Sequence, residues 1–428
     1  MHTQNLIIGF GKAGKTLAAD LAKHGQQVVL VEQSAQMYGG TCINIGCIPS
    51  KKLIVESEQR GHNADKAAVF AAAMNAKNTL IPKLRAANFA KLDNLDSVTV
   101  LNARAEFLDD RTVKLTDPDG GEQTLTAERI FINTGATPRH LGVAGEDSPR
   151  VLDSTGVLAL NERPRRLVII GGGYIGLEFA FMFHAFGSEI TILDGGDRFL
   201  PREDRDIAEE MLRVLNSKGI KVLQGVKIEA FRDNTADTSV ITSQGEFTAD
   251  AVLVGVGRVP NTQGLGLTNA GIKTDQRGFI LVDDHLRVQG KNHIWAMGDV
   301  AGMLRMGEGE AFHAKRKSRW NAALSVAAGS RSAKPRAMPY RASSSLKRLS
   351  RSRTRGATSR YVVRGLTTTE TASDAEEERT ATSARPGATA WMRALWLLRR
   401  STRTAPALLL QLRLRAALSS EIGFQSAS

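Results

Sequence analysis

The sequence predicts an α/β fold: two units, each a parallel sheet with crossover helices, followed by a long segment of different character. Three observations predict it. A strand, a glycine turn, a helix and a second strand run in order over residues 5–32, and the same grammar returns over 166–194, about 160 residues further on. The apolar runs are strand-sized, and none reaches the roughly 18 uninterrupted apolar residues expected of a membrane span. Charge then divides the chain. From Met303 onward there are 24 Lys and Arg against 8 Asp and Glu, whereas the first 302 residues carry 33 basic and 36 acidic side chains. The net charge of +13 is therefore a property of the tail, and the body reads as an ordinary, slightly acidic soluble protein.

In the first unit, "NLIIGFGKAG" is a β run breaking into glycines, "KTLAADLAKHG" has helical spacing and a glycine stop, and "QQVVLVEQ" is a buried strand. Gly9, Gly11 and Gly14 form a G-x-G-x-x-G between strand and helix. Such glycines let the backbone turn tightly and approach a diphosphate, which then sits on the positive helix N-terminus. Glu32 closes the second strand 18 residues after Gly14, where a carboxylate would bind ribose hydroxyls. A glycine-rich turn in an unrelated α/β protein is the bland alternative, and strand, helix and acid together weigh against it. In the second unit, "RLVIIGGGYIG", "LEFAFMFHAFG" and "SEITILD" repeat the pattern. Gly171, Gly173, Tyr174, Ile175 and Gly176 make its turn, and Asp194 follows Gly176 by 18 residues. A carboxylate there favours a free 2′-hydroxyl, hence NAD over NADP, although Arg198 stands close enough to blur the preference. Two Rossmann-like units imply two dinucleotides, and FAD plus NAD(P)H is the simplest donor–acceptor pair.

Between and after these units the sequence is less specific. Residues 62–92 are Ala- and Lys-rich and read as helix. Residues 97–133 alternate like antiparallel strands, 220–256 read as strands with polar turns, and "NHIWAMGDVAG" at 292–302 is a last strand running into glycine. The expected domains are 1–150 for the first nucleotide, 151–278 for the second, 279–302 as a return to the first, and 303–428 as the anomalous tail.

Both cysteines of the chain fall in "GGTCINIGCIPSKKL", residues 39–53. Scarce cysteine and the absence of an apolar leader after Met1 fit a reducing cytoplasm, where paired thiols are more often catalytic or metal-binding than structural. In a regular helix Cys42 and Cys47 would have Cα atoms roughly 8.6 Å apart, whereas a disulfide needs less than about 7 Å. A bridge therefore requires a distorted turn, which Gly40 and Gly46 permit and Pro49 would help to end, and it would reduce readily. Half of a zinc site is one alternative, but no further cysteine completes it and the eight His show no ligand spacing. Two unpaired thiols at a helix start is the other.

The cysteine stretch resembles the redox-disulfide signature of the class I pyridine nucleotide-disulfide oxidoreductases, the family of lipoamide dehydrogenase, glutathione reductase and mercuric reductase. The wider wording ("MYGGTCINIGCIPSK", "FINTGA", "FLPREDRDIA", "IWAMGDVAG") is most similar to the reactive-chlorine-resistance flavoproteins of enteric bacteria, over residues 5 to about 302. By that resemblance Cys47 makes the charge-transfer contact with the flavin and Cys42 is the interchange thiol that attacks substrate. Lys51 lies near flavin N5 and pairs with Glu178. Asp299 binds the flavin side of FAD and Ala105 its adenosine half. Gly40 and Thr41 of the cysteine motif and Thr134 and Gly135 of "FINTGA" complete the FAD set, while Gly257 and Arg258 of "VGVGRVPN" join the NAD set. The resemblance further implies a homodimer and an oxidised small-molecule, disulfide or metal-ion substrate, cupric ion among them.

The family pattern stops after "GDV". A dimerisation domain ending in a His-Pro motif, whose His activates the interchange thiol across the dimer, has no match here. The one His after residue 302 is His313, followed by Ala314. The Arg-, Ser- and Ala-rich text from 303 reads as an out-of-frame translation. The competing account is a disordered basic arm that binds nucleic acid or an anionic membrane, with "WMRALWLLRRSTRTAPALLLQLRLRAAL" patterned as a basic amphipathic helix. In the first account the chain is a remnant that binds nucleotides without turnover.

Overall fold

The computed structural model describes residues 1–59 and 65–302; the expectations for 303–428 lie outside the described residues. The chain runs β1 (His2–Ile8), α1 (Lys12–Lys23), β2 (Val28–Glu32), α2 (Gly40–Asn44), α3 (Cys47–Gln59), α4 (Lys66–Asp93) and β3 (Val98–Asn102). An antiparallel excursion follows through β4 (Arg104–Phe107) and β5 (Thr112–Thr116) into the long β6 (Glu122–Ile132). The sheet order is β3-β2-β1-β6-β5-β4, with β17 (Ile294–Ala296) pairing the outer side of β6. β6 serves two partnerships. Its first half pairs antiparallel with β5, and its second half runs parallel to β1 and β17.

The buried strands are near-continuous aliphatic runs, as a sheet covered on both faces requires. One face packs Ile8, Val31, Ile132, Phe107 and Leu115. The other packs Ile7, Leu30 and Phe131 against Leu17 and Leu21 of α1, each fully buried large side chain contributing roughly 1.5–3 kcal/mol.

The expectation of antiparallel strands throughout 97–133 is corrected at both ends, the second half of β6 running parallel to β1 and β17. Val98–Asn102 pairs parallel with β2, and the run breaks at Ala103, whose N–H donates to Glu32 O at 3.0 Å. Alternation alone cannot separate the two cases, because parallel and antiparallel strands share the period of two.

The second sheet is built from β8 (Val151–Leu152), β9 (Arg166–Ile170), β10 (Glu189–Leu193), β11 (Lys221–Leu223) and β15 (Ala251–Val254), in the order β11-β10-β9-β15-β8 and parallel throughout. α5 (Ser154–Val157), α6 (Tyr174–Ala185) and α7 (Arg205–Ser217) cross over it, and an antiparallel trio, β12 (Ile228–Asp233), β13 (Thr238–Thr242) and β14 (Gly245–Ala249), precedes the last strand. The two sheets are joined twice: β7 (Ala136–Pro138) leaves the first and β16 (Arg258–Pro260) returns, and the two pair antiparallel. α4 binds the units further. Phe70 packs on Phe183 and Phe186 at ring distances of 5.9 and 5.2 Å, and buried Lys77 donates to the Leu158 carbonyl. Among the described residues no helix is long and apolar enough to cross a membrane.

Candidate active site

The two glycine turns are built on one plan. Gly9 N–H donates to Val31 O at 2.7 Å and Gly171 N–H to Leu193 O at 2.8 Å. Both residues need the left-handed region, with φ of 105° and 102°, and neither tolerates a side chain. A Cβ would lie 2.3 Å from Asn133 O at Gly9 and 2.6 Å from Gly255 O at Gly171. The third glycines press on the first: a Cβ on Gly14 or Gly176 would lie 2.5 or 2.1 Å from the carbonyl oxygen of Gly9 or Gly171. The middle glycines differ. Gly11 is pressed by Asn133 Oδ1, whereas Gly173 has nothing within 4 Å.

These residues fit dinucleotides. Gly11 and Gly173 begin α1 and α6 with no capping side chain of their own, so the first-turn N–H groups, apart from that of Gly14, which Asn133 takes, face the turn, and Gly173 leaves a cradle that a Cβ would fill. The Glu32 carboxylate accepts from Phe10 N–H at 2.9 Å and Ser34 N–H at 3.3 Å. Burial pushes its carboxyl up, against those backbone bonds. Asp194 lies beside its own turn, since a Cβ on Gly172 would be 3.0 Å from Asp194 Oδ2. Tyr174 is exposed and its hydroxyl donates to Glu203, while Ile175 is half-buried.

The thiols face each other across a helix break. α2 ends at Asn44, capped by Ile45 (φ −139°, ψ 15°), and α3 starts at Cys47. Pro49 therefore does not end a helix, as the sequence suggested; it sits in the first turn of α3, where its missing N–H costs nothing. Both cysteines are free thiols, Cys42 half-buried and Cys47 exposed. The Cys42 S–H donates to Cys47 and stabilises its thiolate, lowering Cys47 to about 6. Its position on the backbone N–H at the α3 start and the Lys51 charge help, while burial and Glu178 oppose. Cys42 moves up for the same reason, held by the hydrogen bond, then by burial, with Lys12 and Lys15 pulling the other way.

What holds this pair in place was not read from the sequence. Asn44, between the cysteines, donates to Tyr38 O at 3.0 Å and Gly40 O at 2.9 Å and accepts from Arg85 Nε at 2.8 Å. Tyr38 is sandwiched by Phe10 and Phe89 at 5.2 and 4.8 Å. A Cβ on Gly40 would come within 2.6 Å of Gly11 Cα, so the redox helix rests directly on the first glycine turn. Asn44 lies inside the cysteine motif itself, the one signal that could have found it.

The other predicted residues divide. Lys51 on α3 and Glu178 on α6 are both exposed and both close enough to bias Cys47, and α3 packs on α6. Thr41 accepts Ile45 N–H at 3.0 Å through its carbonyl. Thr134 and Gly135 close β6 and exchange hydrogen bonds of 2.8–3.0 Å with Asn261. Asp299 is exposed on a 3-10 turn, Gly298–Ala301, next to the first glycine turn through Asn133. Ala105 is 4% exposed in the core of the first sheet, which leaves its backbone for any contact. Gly257 has open space at its Cβ. Arg258, grouped by sequence with the second nucleotide, donates to the Ala136 carbonyl. Burial pulls its pKa down, with Asp299 and Asp153 as the opposing charges. Among the described residues no group of three His, Cys, Asp or Glu could hold a metal ion.

Two dinucleotide turns with a thiol pair resting on the first define a nucleotide-dependent dithiol redox protein. Residues 3–327 match the pyridine nucleotide-disulphide oxidoreductase family, and the chain belongs to it; the match runs past residue 302, where the sequence resemblance was expected to end. The probable pyridine nucleotide-disulfide oxidoreductase RclA of Escherichia coli K12 is 44% identical over 303 residues, covering 71% of this chain and 67% of the relative. Mercuric reductase of Staphylococcus aureus is 33% identical over 69% of this chain and 55% of its own length. Dihydrolipoyl dehydrogenase of Geobacillus stearothermophilus is 36% identical over 70% and 66%. A solved Cu(II) complex of the HOCl-induced flavoprotein disulfide reductase RclA from E. coli superposes with a TM-score of 0.69 at 40% identity, covering 76% of this chain and 70% of that one. The chain thus spans 55–67% of the length of these curated relatives.

Proposed function

We propose that this chain is a flavin-dependent oxidoreductase that passes reducing equivalents from NAD(P)H, with NAD preferred, through FAD to a Cys42–Cys47 disulfide and on to an oxidised small molecule, disulfide or soft metal ion. The observation that carries the reading is the thiol pair itself: opposed across a helix break, split into one thiolate and one thiol, and resting on the first glycine turn. The first turn, Glu32, Gly40, Thr41, Thr134, Gly135 and Asp299 would hold FAD, and the second turn with Asp194 would hold NAD(H). Bound FAD would supply two-electron chemistry between the nicotinamide and the disulfide. Lys51 and Glu178 would set the charge beside Cys47 from opposite directions.

Cys42 would attack the substrate. Closing the dithiol to a disulfide releases two electrons and two protons, enough to reduce one disulfide or two cupric ions. The Cu(II) complex of the E. coli relative supports copper, and soft thiolates suit it. The setting proposed with it is a homodimer in a reducing cytoplasm.

The test is anaerobic titration of the flavin-loaded protein with NADH. A redox disulfide takes up a second equivalent per flavin that Cys47→Ser abolishes. Flavin bleaching complete at one equivalent in the wild type rejects the reading. A second reading, a nucleotide-binding remnant without turnover, is favoured by the change of text after residue 302, where 24 Lys and Arg stand against 8 Asp and Glu. It predicts normal flavin reduction by NADH but no sustained turnover with cupric ion or a disulfide.

A further inference from the structure

The repeat of the glycine turn isolates one residue that the second unit lacks. Asn133 and Gly255 are equivalent: each follows the strand that pairs parallel with the glycine-turn strand of its sheet, and each donates its N–H at 2.7 Å to the last residue of that glycine-turn strand, Ile8 or Ile170. Where Gly255 has no side chain, Asn133 places a primary amide between two turns. Its Oδ1 accepts Gly14 N–H at 2.8 Å, and its Nδ2 donates to Met297 O at 2.8 Å. It is 7% exposed. The same amide fills the space beside Gly11 and approaches Gly298, where a Cβ would meet it at 2.6 and 3.1 Å.

We infer that Asn133 is a positioning residue that clamps the first glycine turn to the Asp299 turn and so fixes the FAD site before the cofactor arrives. This rests on the flavin reading of the first turn. What Asn133 sets is the spacing between the N–H groups that face a diphosphate and the carboxylate that faces the flavin end. A group that both accepts and donates is required, because Gly14 offers a hydrogen and Met297 a lone pair. The second turn, without the clamp, leaves Gly173 in open space, as suits a nucleotide that binds and leaves.

The experiment uses the full chain and measures FAD affinity of the deflavinated protein by fluorescence quenching at pH 8 and pH 5. Asn133→Asp is the informative variant. Its protonated acid can accept and donate as the amide does, whereas its carboxylate cannot donate and faces the Met297 carbonyl. Burial raises such a carboxyl, so FAD affinity should fall at least about tenfold at pH 8 and recover toward wild type at pH 5, with wild type changing little. Affinity equal to wild type at pH 8, or a loss that does not recover, overturns the proposal. Asn133→Ala carries the same test without charge: about a tenfold loss at both pH values is expected, and unchanged affinity overturns it. A wild-type protein that fails to bind FAD at all removes the flavin reading instead, and the clamp with it.

Discussion

The two nucleotide turns share their backbone and differ in what surrounds them. In both, the first glycine meets the next strand and the third meets the first. Around the first, Asn133, Gly40 and the Phe10–Tyr38–Phe89 stack close in on the turn. Around the second, the middle glycine stands free and exposed. The same motif thus builds a site packed into the core and a site open to solvent, and the difference lies in residues outside the motif. A cofactor that stays suits the first, and one that exchanges each cycle suits the second.

The largest expected effect breaks the link between them. Cys42→Ser or Cys47→Ser should cut NADH-driven substrate reduction by a factor on the order of 10³ or more while flavin reduction by NADH persists, read by steady-state and single-turnover absorbance. Persistent turnover in either variant would mean that the thiols are bystanders. Next come paired glycine substitutions within the second turn. Gly176→Ala drives a Cβ onto backbone and should cost about 2 kcal/mol of stability in chemical denaturation. Gly173→Ala should leave stability within about 0.5 kcal/mol yet weaken NADH binding about tenfold by filling the cradle. Equal effects on stability would erase the contrast between closed and open positions.

A smaller effect concerns the thiols. With Cys47 lowered to about 6, the thiolate is present above that pH and lost below it. Iodoacetamide alkylation of the reduced protein should therefore titrate near pH 6 rather than near the ordinary thiol value. Lys51→Met should move that midpoint up and Glu178→Gln down, following the signs of their charges. The smallest effect is at Asp194. Its replacement by Ser should narrow the preference for NADH over NADPH by about tenfold, measured as a ratio of kcat/KM values.

Sequence pattern carried the repeat well, because strand, glycine turn, helix and acid are local and their spacing is set by backbone geometry. It carried the cysteine pair for the same reason. What it could not carry is contact at a distance. The parallel pairing of Val98–Asn102, the seat of Arg258 against Ala136, and the burial of Ala105 each depend on which strand lies alongside. Asn44, Arg85 and Asn133 act through single side chains in otherwise apolar or polar runs, and a lone Asn has no periodicity to betray it. Pro49 misled because proline reads as a stop, although it is equally at home in a helix's first turn.

The paired strands β7 and β16 bring Ala136 and Pro260 into register, so everything between them is, to the first unit, a single closed loop. An insertion whose ends meet strains its host's backbone little, since loop closure costs only slowly more as length grows, and what else ties the two units is side-chain contact, Phe70 on Phe183 and Phe186 and Lys77 on Leu158. The second unit is in that sense a plug-in module. Excising residues 139–257 and bridging the strands with a short turn should leave the first sheet with its pairing intact while uncovering Phe70 and Lys77 of α4, and another domain with neighbouring termini could be seated in the same socket if it covered them.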